Sequence, residues 1–156
     1  LYALVLFLHS WVRWAVVLSL VAVNLRMIMG LVRRTSWRPL DRAFALLFLA
    51  ALHTQIAVGL VMYFGLSALT PKSMADLRAF MSVAPLRFFA VEHLFGMTLA
   101  TISFHLGWAA GKRARSDRLR YKRVLAGAGV ALVLILVSIP WPFFVYGRPV
   151  VRLSAP

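Results

Sequence analysis

Four apolar runs, each of bilayer-crossing length, restrict this chain to folds that lie in lipid. They cover roughly residues 2–23, 43–66, 88–110 and 124–142. A helix needs about 20 apolar residues to cross the hydrocarbon core. Inside that core every backbone N–H and C=O must be bonded within the protein, which leaves helices or closed barrels. Runs of this length and continuity specify helices, so the sequence reads as an all-α integral membrane four-helix bundle in a single domain. Composition agrees: 62% of the 156 residues are hydrophobic and 14% are charged, where an ordinary soluble domain carries roughly a quarter charged residues.

The charges set the topology. Net charge is +14, from eighteen Lys and Arg against four acidic residues. The basic residues fall mainly between the apolar runs. Arg26, Arg33, Arg34 and Arg38 follow the first run, and the stretch KRARSDRLRYKR follows the third. The connection after the second run is longer and sparser, with Lys72, Arg78 and Arg87. Cytoplasmic loops collect Lys and Arg, so the first and third connections are expected inside and both termini outside, on the periplasmic face of a bacterial inner membrane. The same distribution argues against nucleic acid as a partner, because no aromatic–basic binding module accompanies it. The first apolar run has no basic segment before it and continues too far for a cleavable signal peptide. Cysteine is absent. That excludes disulfides, thiolate-held iron–sulfur clusters and covalently attached c-type haem.

Between the runs the breakers are clear. Asp41 is a candidate cap for the second helix, with Ser36 and Thr35 as rivals. The connection 67–87 contains Pro71 and Pro85, and residues 72–83 within it have the pattern of a short helix at the membrane surface, with Met74, Leu77, Phe80 and Met81 on one face. Gly127, Gly129 and Ala131 leave the fourth run open to close helix packing. Pro140 and Pro142 end it near an interface marked by Trp141 and Tyr146.

Chemistry concentrates in four histidines, each inside an apolar run. The third run, FFAVEHLFGMTLATISFHLGW, holds His93 and His105. Along a helix they stand roughly 18 Å apart and about 120° around the axis, so they face different neighbours at different depths. His9 and His93 both lie roughly 8 to 10 Å inside the outer edge, on different helices. His105 lies roughly 7 Å from the inner edge and His53 about 15 Å from it, a poorer match that helix tilt can narrow. Ionisable groups within a membrane are costly and mark function. The reading is that His9 and His93 ligate one b-type haem, with a second haem at His53 and His105. Against it stands the plain alternative, that a histidine in an apolar helix hydrogen-bonds a neighbour and does nothing more.

Other residues extend the outer site. Arg13, one turn deeper than His9, needs a partner: Glu92, a haem propionate or a quinone oxygen. Arg87, at the mouth of the third run, is placed for a propionate directed to water. Met62, Met81 and Met97 are conceivable axial ligands, although methionine serves as core filler equally well. Gly96 and Ala57, one turn from His93 and His53, leave room beside the helix for a flat macrocycle.

Three motifs carry a resemblance. His9-Ser10-x-x-Arg13-Trp14, Leu86-Arg87-Phe88-Phe89-x-Val91-Glu92-His93 and Ile139-Pro140-Trp141-Pro142 resemble those of small bacterial four-helix membrane proteins identified as cytochrome b-like. The architecture is also similar to the dihaem cytochromes that anchor respiratory dehydrogenases and to the cytochrome b561 group, which use histidine pairs from facing helices. The resemblance implies haem binding and electron transfer, with the ligand role falling on His9, His53, His93 and His105. Segments between the runs are too short to house a separate catalytic site, so the expected partners are the lipid bilayer, other membrane subunits of a respiratory or photosynthetic complex, and quinone. The competing readings are a structural or assembly subunit without haem, and a metal-binding protein using the four histidines.

Overall fold

The computed structural model describes residues 1–71 and 74–152. Among these residues there are helices and no strand: α1 (Tyr2–Val32), α2 (Pro39–Val61) prolonged by a π-helical turn (Met62–Leu66), α3 (Met74–Met81), α4 (Ala84–Arg87), a second π-helical turn (Phe88–Glu92), α5 (His93–Lys112) and α6 (Asp117–Ser138). By length and apolarity α1, the run Pro39–Leu66 and α6 are each able to cross a membrane. α5 is less apolar because two histidines and several small polar residues lie in it.

The helices overrun the apolar segments, and the reasons are specific. α1 does not stop at Asn24 and Arg26, because both are satisfied inside the protein. The Asn24 amide donates to the carbonyls of Leu20 (2.9 Å) and, on α6, Ala128 (3.3 Å). Arg26 pairs with Asp41 at 2.6 Å. α2 begins at Pro39, whose missing N–H costs nothing at a helix start. Asp41 is therefore not the N-cap; its carboxylate accepts from the Arg38 backbone N–H at 2.6 Å from the third helical position. Thr35 and Ser36 do not cap this helix either. α6 starts within the basic stretch, capped by Ser116, whose hydroxyl accepts from the Leu119 N–H. Its Tyr121 is fully buried and donates to Asp41 (2.8 Å). In the connection after α2, α3 realises the described part of the expected surface helix; Lys72 and Ser73 lie outside the described residues. Leu77 and Phe80 are half-buried there, and Met81 is exposed.

α1 packs against α2 on one side and α6 on the other, and α5 packs on α6. The α5–α6 seam is closest where Gly107 meets Gly127: a Cβ on Gly107 would come within 2.7 Å of the Gly127 Cα, and one on Gly127 within 2.6 Å of the Ser103 carbonyl. Small residues allow helices to associate in lipid, where burial of apolar surface offers no drive. α2 and α5 approach through side chains instead, with the Phe48 and Phe104 rings edge to face at 4.5 Å. The densest core joins Leu20, Val23, Met27, Phe48, Phe104, Tyr121 and Val124. It occupies the half of the molecule nearer Asp41. Outward faces remain apolar: Leu18 is 64%, Phe95 62% and Leu106 66% exposed, which suits lipid and would be unusual in contact with water.

After Ser138 the chain leaves the helix before Pro140, turns through Gly147 and comes back across α1. The Arg148 N–H donates to the Pro140 carbonyl (2.9 Å). Trp14 and Arg13 then donate to the Val150 carbonyl (3.0 and 2.6 Å), and Trp11 to the Arg152 carbonyl (3.1 Å). Tyr146 stacks on Phe88 at 3.9 Å. This return segment closes one end of a space between α1, α2 and α5.

Candidate functional site

That space is a cavity of about 400 Å³, within the usual range for a small-molecule or cofactor site. His9, Ser10 and Arg13 line it from α1, Gln55 and Gly59 from α2, His93 and Met97 from α5, and Arg148 and Arg152 from the return segment. The remainder of the wall is mostly apolar, including Leu52, Ile56, Phe89 and Ile135.

His9 and His93 face each other across this space. Their ring centres are 6.4 Å apart. His93 is oriented by α6. Its Nδ1–H donates to the Ser138 carbonyl at 2.7 Å, a group left free because α6 ends at that residue. With the proton fixed on Nδ1, the lone pair of the ring sits on Nε2. Gly96 brings α6 that close, since a Cβ there would overlap the Ser138 hydroxyl. The gap expected at Gly96 for a macrocycle is thus filled by Ser138. His9 lies against Gly59, where a Cβ would come 3.3 Å from its Cε1. The Gln55 amide donates to His9 Nε2 (3.2 Å) and to the His9 carbonyl (3.0 Å).

Among the described residues, three buried side-chain atoms lack a hydrogen-bond partner: His9 Nδ1, Arg13 Nε and Gln55 Oε1. All three residues line the cavity. Buried polar atoms are nearly always bonded, so a cluster of exceptions asks for an additional group.

His53 and His105 also meet, although sequence depth separated them. Their Nε2 atoms are 3.3 Å apart and their ring centres 5.3 Å. Side chains on a helix lean toward its N-terminus. α2 and α5 run in opposite directions, so the two imidazoles lean toward each other and close the difference in depth. His105 Nδ1–H donates to the Thr101 carbonyl of its own helix (2.8 Å). Neither ring lines the cavity, and His53 is exposed on the outer face of the molecule.

The arginines part company. The Arg13–Glu92 pair allowed by the sequence does not form, because Glu92 is bonded to Arg87 at 2.6 Å while Arg13 reaches the Val150 carbonyl. Arg87 sits outside the cavity wall. In its place stand Arg148 and Arg152, which periodicity could not mark because they follow the last helix. The turn that returns them was signalled only by Pro140, Pro142 and Gly147. Met62 and Met97 line the cavity; Met81 does not.

Three comparisons were made, with protein-family models, with curated proteins and with solved structures, and none of them finds a match to this chain. Fold and site define it by themselves: among the described residues, an all-helical protein with three helices long and apolar enough to cross a membrane and a histidine-lined cavity.

Proposed function

We propose that the chain is a b-type cytochrome, a four-helix membrane bundle with both termini outside that moves electrons within a larger membrane complex. His9 and His93 would hold one haem b through their ring nitrogens. Their ring centres, 6.4 Å apart, leave between them the width that a metal ion bound by both imidazoles at about 2 Å each would take. The observation that carries the reading is that the three residues with an orphaned polar atom, His9, Arg13 and Gln55, all line the same cavity as His93.

Bound there, haem iron would supply one-electron chemistry. The residues supply the rest. The Ser138 carbonyl holds His93 in the tautomer that presents Nε2, and such a partner also raises ligand basicity. Were His9 to hold the group through Nε2, it would give up its hydrogen bond from Gln55, whose amide would keep the His9 carbonyl as acceptor. Leu52, Ile56, Phe89 and Ile135 exclude water, which favours the less charged form of the site. Quinone or a neighbouring subunit completes the electron path.

The second pair supports a different role. An Nε2–Nε2 distance of 3.3 Å is that of a direct hydrogen bond and leaves no space for a flat macrocycle between the rings. His53 and His105 are read as a direct hydrogen bond holding α2 to α5, the packing role that the structural-subunit reading gives to all four. The test is a reduced-minus-oxidised spectrum of the purified protein with quantitation of haem. We expect the α-band of a b-type haem at one per chain. A colourless protein that folds and inserts normally would sink the proposal and leave the structural subunit.

A further inference from the structure

We propose that the return segment Gly147–Arg152 is a cationic strap, and that Arg13, Arg148 and Arg152 form a carboxylate site at the mouth of the cavity. The ligand class is an amphipathic anion whose apolar body lies in the cavity. Under the proposed function, on which the identity of that body rests, the anion is a haem propionate. A fatty-acyl carboxylate offers the same chemistry.

Among the described residues the charge on the cavity wall is cationic. Arg13, Arg148 and Arg152 line it, and no Asp or Glu does. Among the described residues none of the three arginines forms an ion pair; the ion pairs found there are Arg26–Asp41 and Arg87–Glu92. Glu92 is the acidic residue nearest to His93 in sequence, and Arg87 holds it away from the cavity. Arg13 reaches the Val150 carbonyl at 2.6 Å, two residues before Arg152. A guanidinium has five N–H donors. Arg13 uses one Nη2 bond to the Val150 carbonyl and leaves Nε buried and unbonded. Arg148 lies over the Phe89 ring at 5.1 Å, which fixes its position without neutralising it. Three guanidiniums gathered at the edge of a low-dielectric space are unfavourable together until an anion joins them, and guanidinium matches carboxylate geometry in paired hydrogen bonds.

The segment is built to hold that position. Trp11, Trp14 and Arg13 donate to backbone carbonyls of Val150 and Arg152, not to side chains. The strap is therefore pinned to α1 by its main chain, and the Arg148 and Arg152 side chains are left for a ligand. Gly147 is needed at the turn, where a Cβ would come within 2.5 Å of the Trp141 carbonyl.

The experiment compares ligands with and without carboxylates on the full chain in detergent. Iron protoporphyrin IX and its dimethyl ester are titrated, followed by Soret absorbance and by quenching of tryptophan fluorescence. Hexadecanoate and its methyl ester form a second, iron-free pair, followed by fluorescence. The wild type should bind the porphyrin diacid at least about tenfold more tightly than the diester. The Arg148→Gln/Arg152→Gln variant should lose that preference and bind both forms as the wild type binds the diester. Equal wild-type affinities for acid and ester in both pairs would overturn the strap without any variant being needed. A double variant that keeps the preference would do the same. If neither porphyrin binds but the fatty acid is preferred over its ester, and the preference vanishes in the variant, the haem reading falls while the carboxylate site stands with a lipid as its source.

Discussion

The two histidine pairs consist of the same side chain on helices that face each other, yet they differ in what orients them. His93 donates to Ser138 of another helix, at a carbonyl that α6 cannot use itself. His105 donates to Thr101 one turn back on its own helix. The His9–His93 pair is consequently set in place by four helices around a cavity, with ring centres 6.4 Å apart. The inner pair is closed upon itself at 3.3 Å beside the Phe48–Phe104 contact. A histidine in a membrane helix is thus not informative by itself. Under the proposed function, what its second nitrogen does, and whether space adjoins the first, separates a ligand from a fastener.

The largest effect expected of this contrast is in haem content. His93→Leu keeps apolar bulk and removes the nitrogen, so the low-spin spectrum should disappear completely while the protein still inserts. His105→Leu should leave the spectrum and the stoichiometry unchanged. If both substitutions abolish haem, or neither does, the two pairs are equivalent and the distinction drawn between them fails.

Stability should depend on the opposite end of the molecule. Asp41 is fully buried and bonded to Arg26, Tyr121 and the Arg38 N–H. Asp41→Ala leaves the Arg26 charge without its partner, a loss of about 3 kcal/mol, at the lower end of the range for a broken buried pair because Arg26 keeps partial exposure. Unfolding in mixed micelles measures it. The haem spectrum of the folded fraction should be unaltered; a shifted spectrum would mean that the two ends are coupled.

A smaller effect should follow from crowding His9. A Cβ at Gly59 already comes 3.3 Å from the His9 ring, and the branched side chain of Gly59→Leu would displace that ring from its position opposite His93. Haem affinity should fall about tenfold, equivalent to roughly 1.4 kcal/mol, with titration of the purified protein as the readout. Unchanged affinity would place the ligand away from His9.

These contrasts were only partly legible in the sequence. His9 and His93 sit on helices that run in the same direction, so the lean of their side chains cancels and counting residues puts the two rings at one level, as their 6.4 Å spacing has them. His53 and His105 sit on opposed helices, where the lean adds, and counting kept them apart. Asn24 and Arg26 read as the end of a span because their partners, the Ala128 carbonyl and Asp41, are distant in sequence. Arg148 and Arg152 were missed for a related reason: a segment after the last helix has no periodicity, and its position depends on tryptophan and arginine donors on α1. Helix existence follows from local composition. The walls of a cavity follow from which carbonyls the chain leaves free, and that is decided only on folding.

The smallest effect is the most discriminating for the inner pair. With Nδ1 of His105 donating to Thr101, a neutral His105 can only accept at Nε2, so the shared proton belongs to His53. A double-mutant cycle of His53→Ala and His105→Ala should then give a coupling of about 0.6 kcal/mol, with about 1.7 kcal/mol as the upper range for hydrogen bonds between membrane helices. The value is small because the unfolded chain in lipid also finds partners for these groups. Mixed-micelle unfolding of the four proteins supplies it, together with their haem content. Coupling within error of zero would show that the imidazoles do not bond each other and that other contacts, such as Phe48–Phe104, hold α2 to α5. Two haems per wild-type chain, falling to one in either single variant, would make the inner pair a ligand set as well and remove the difference between the pairs.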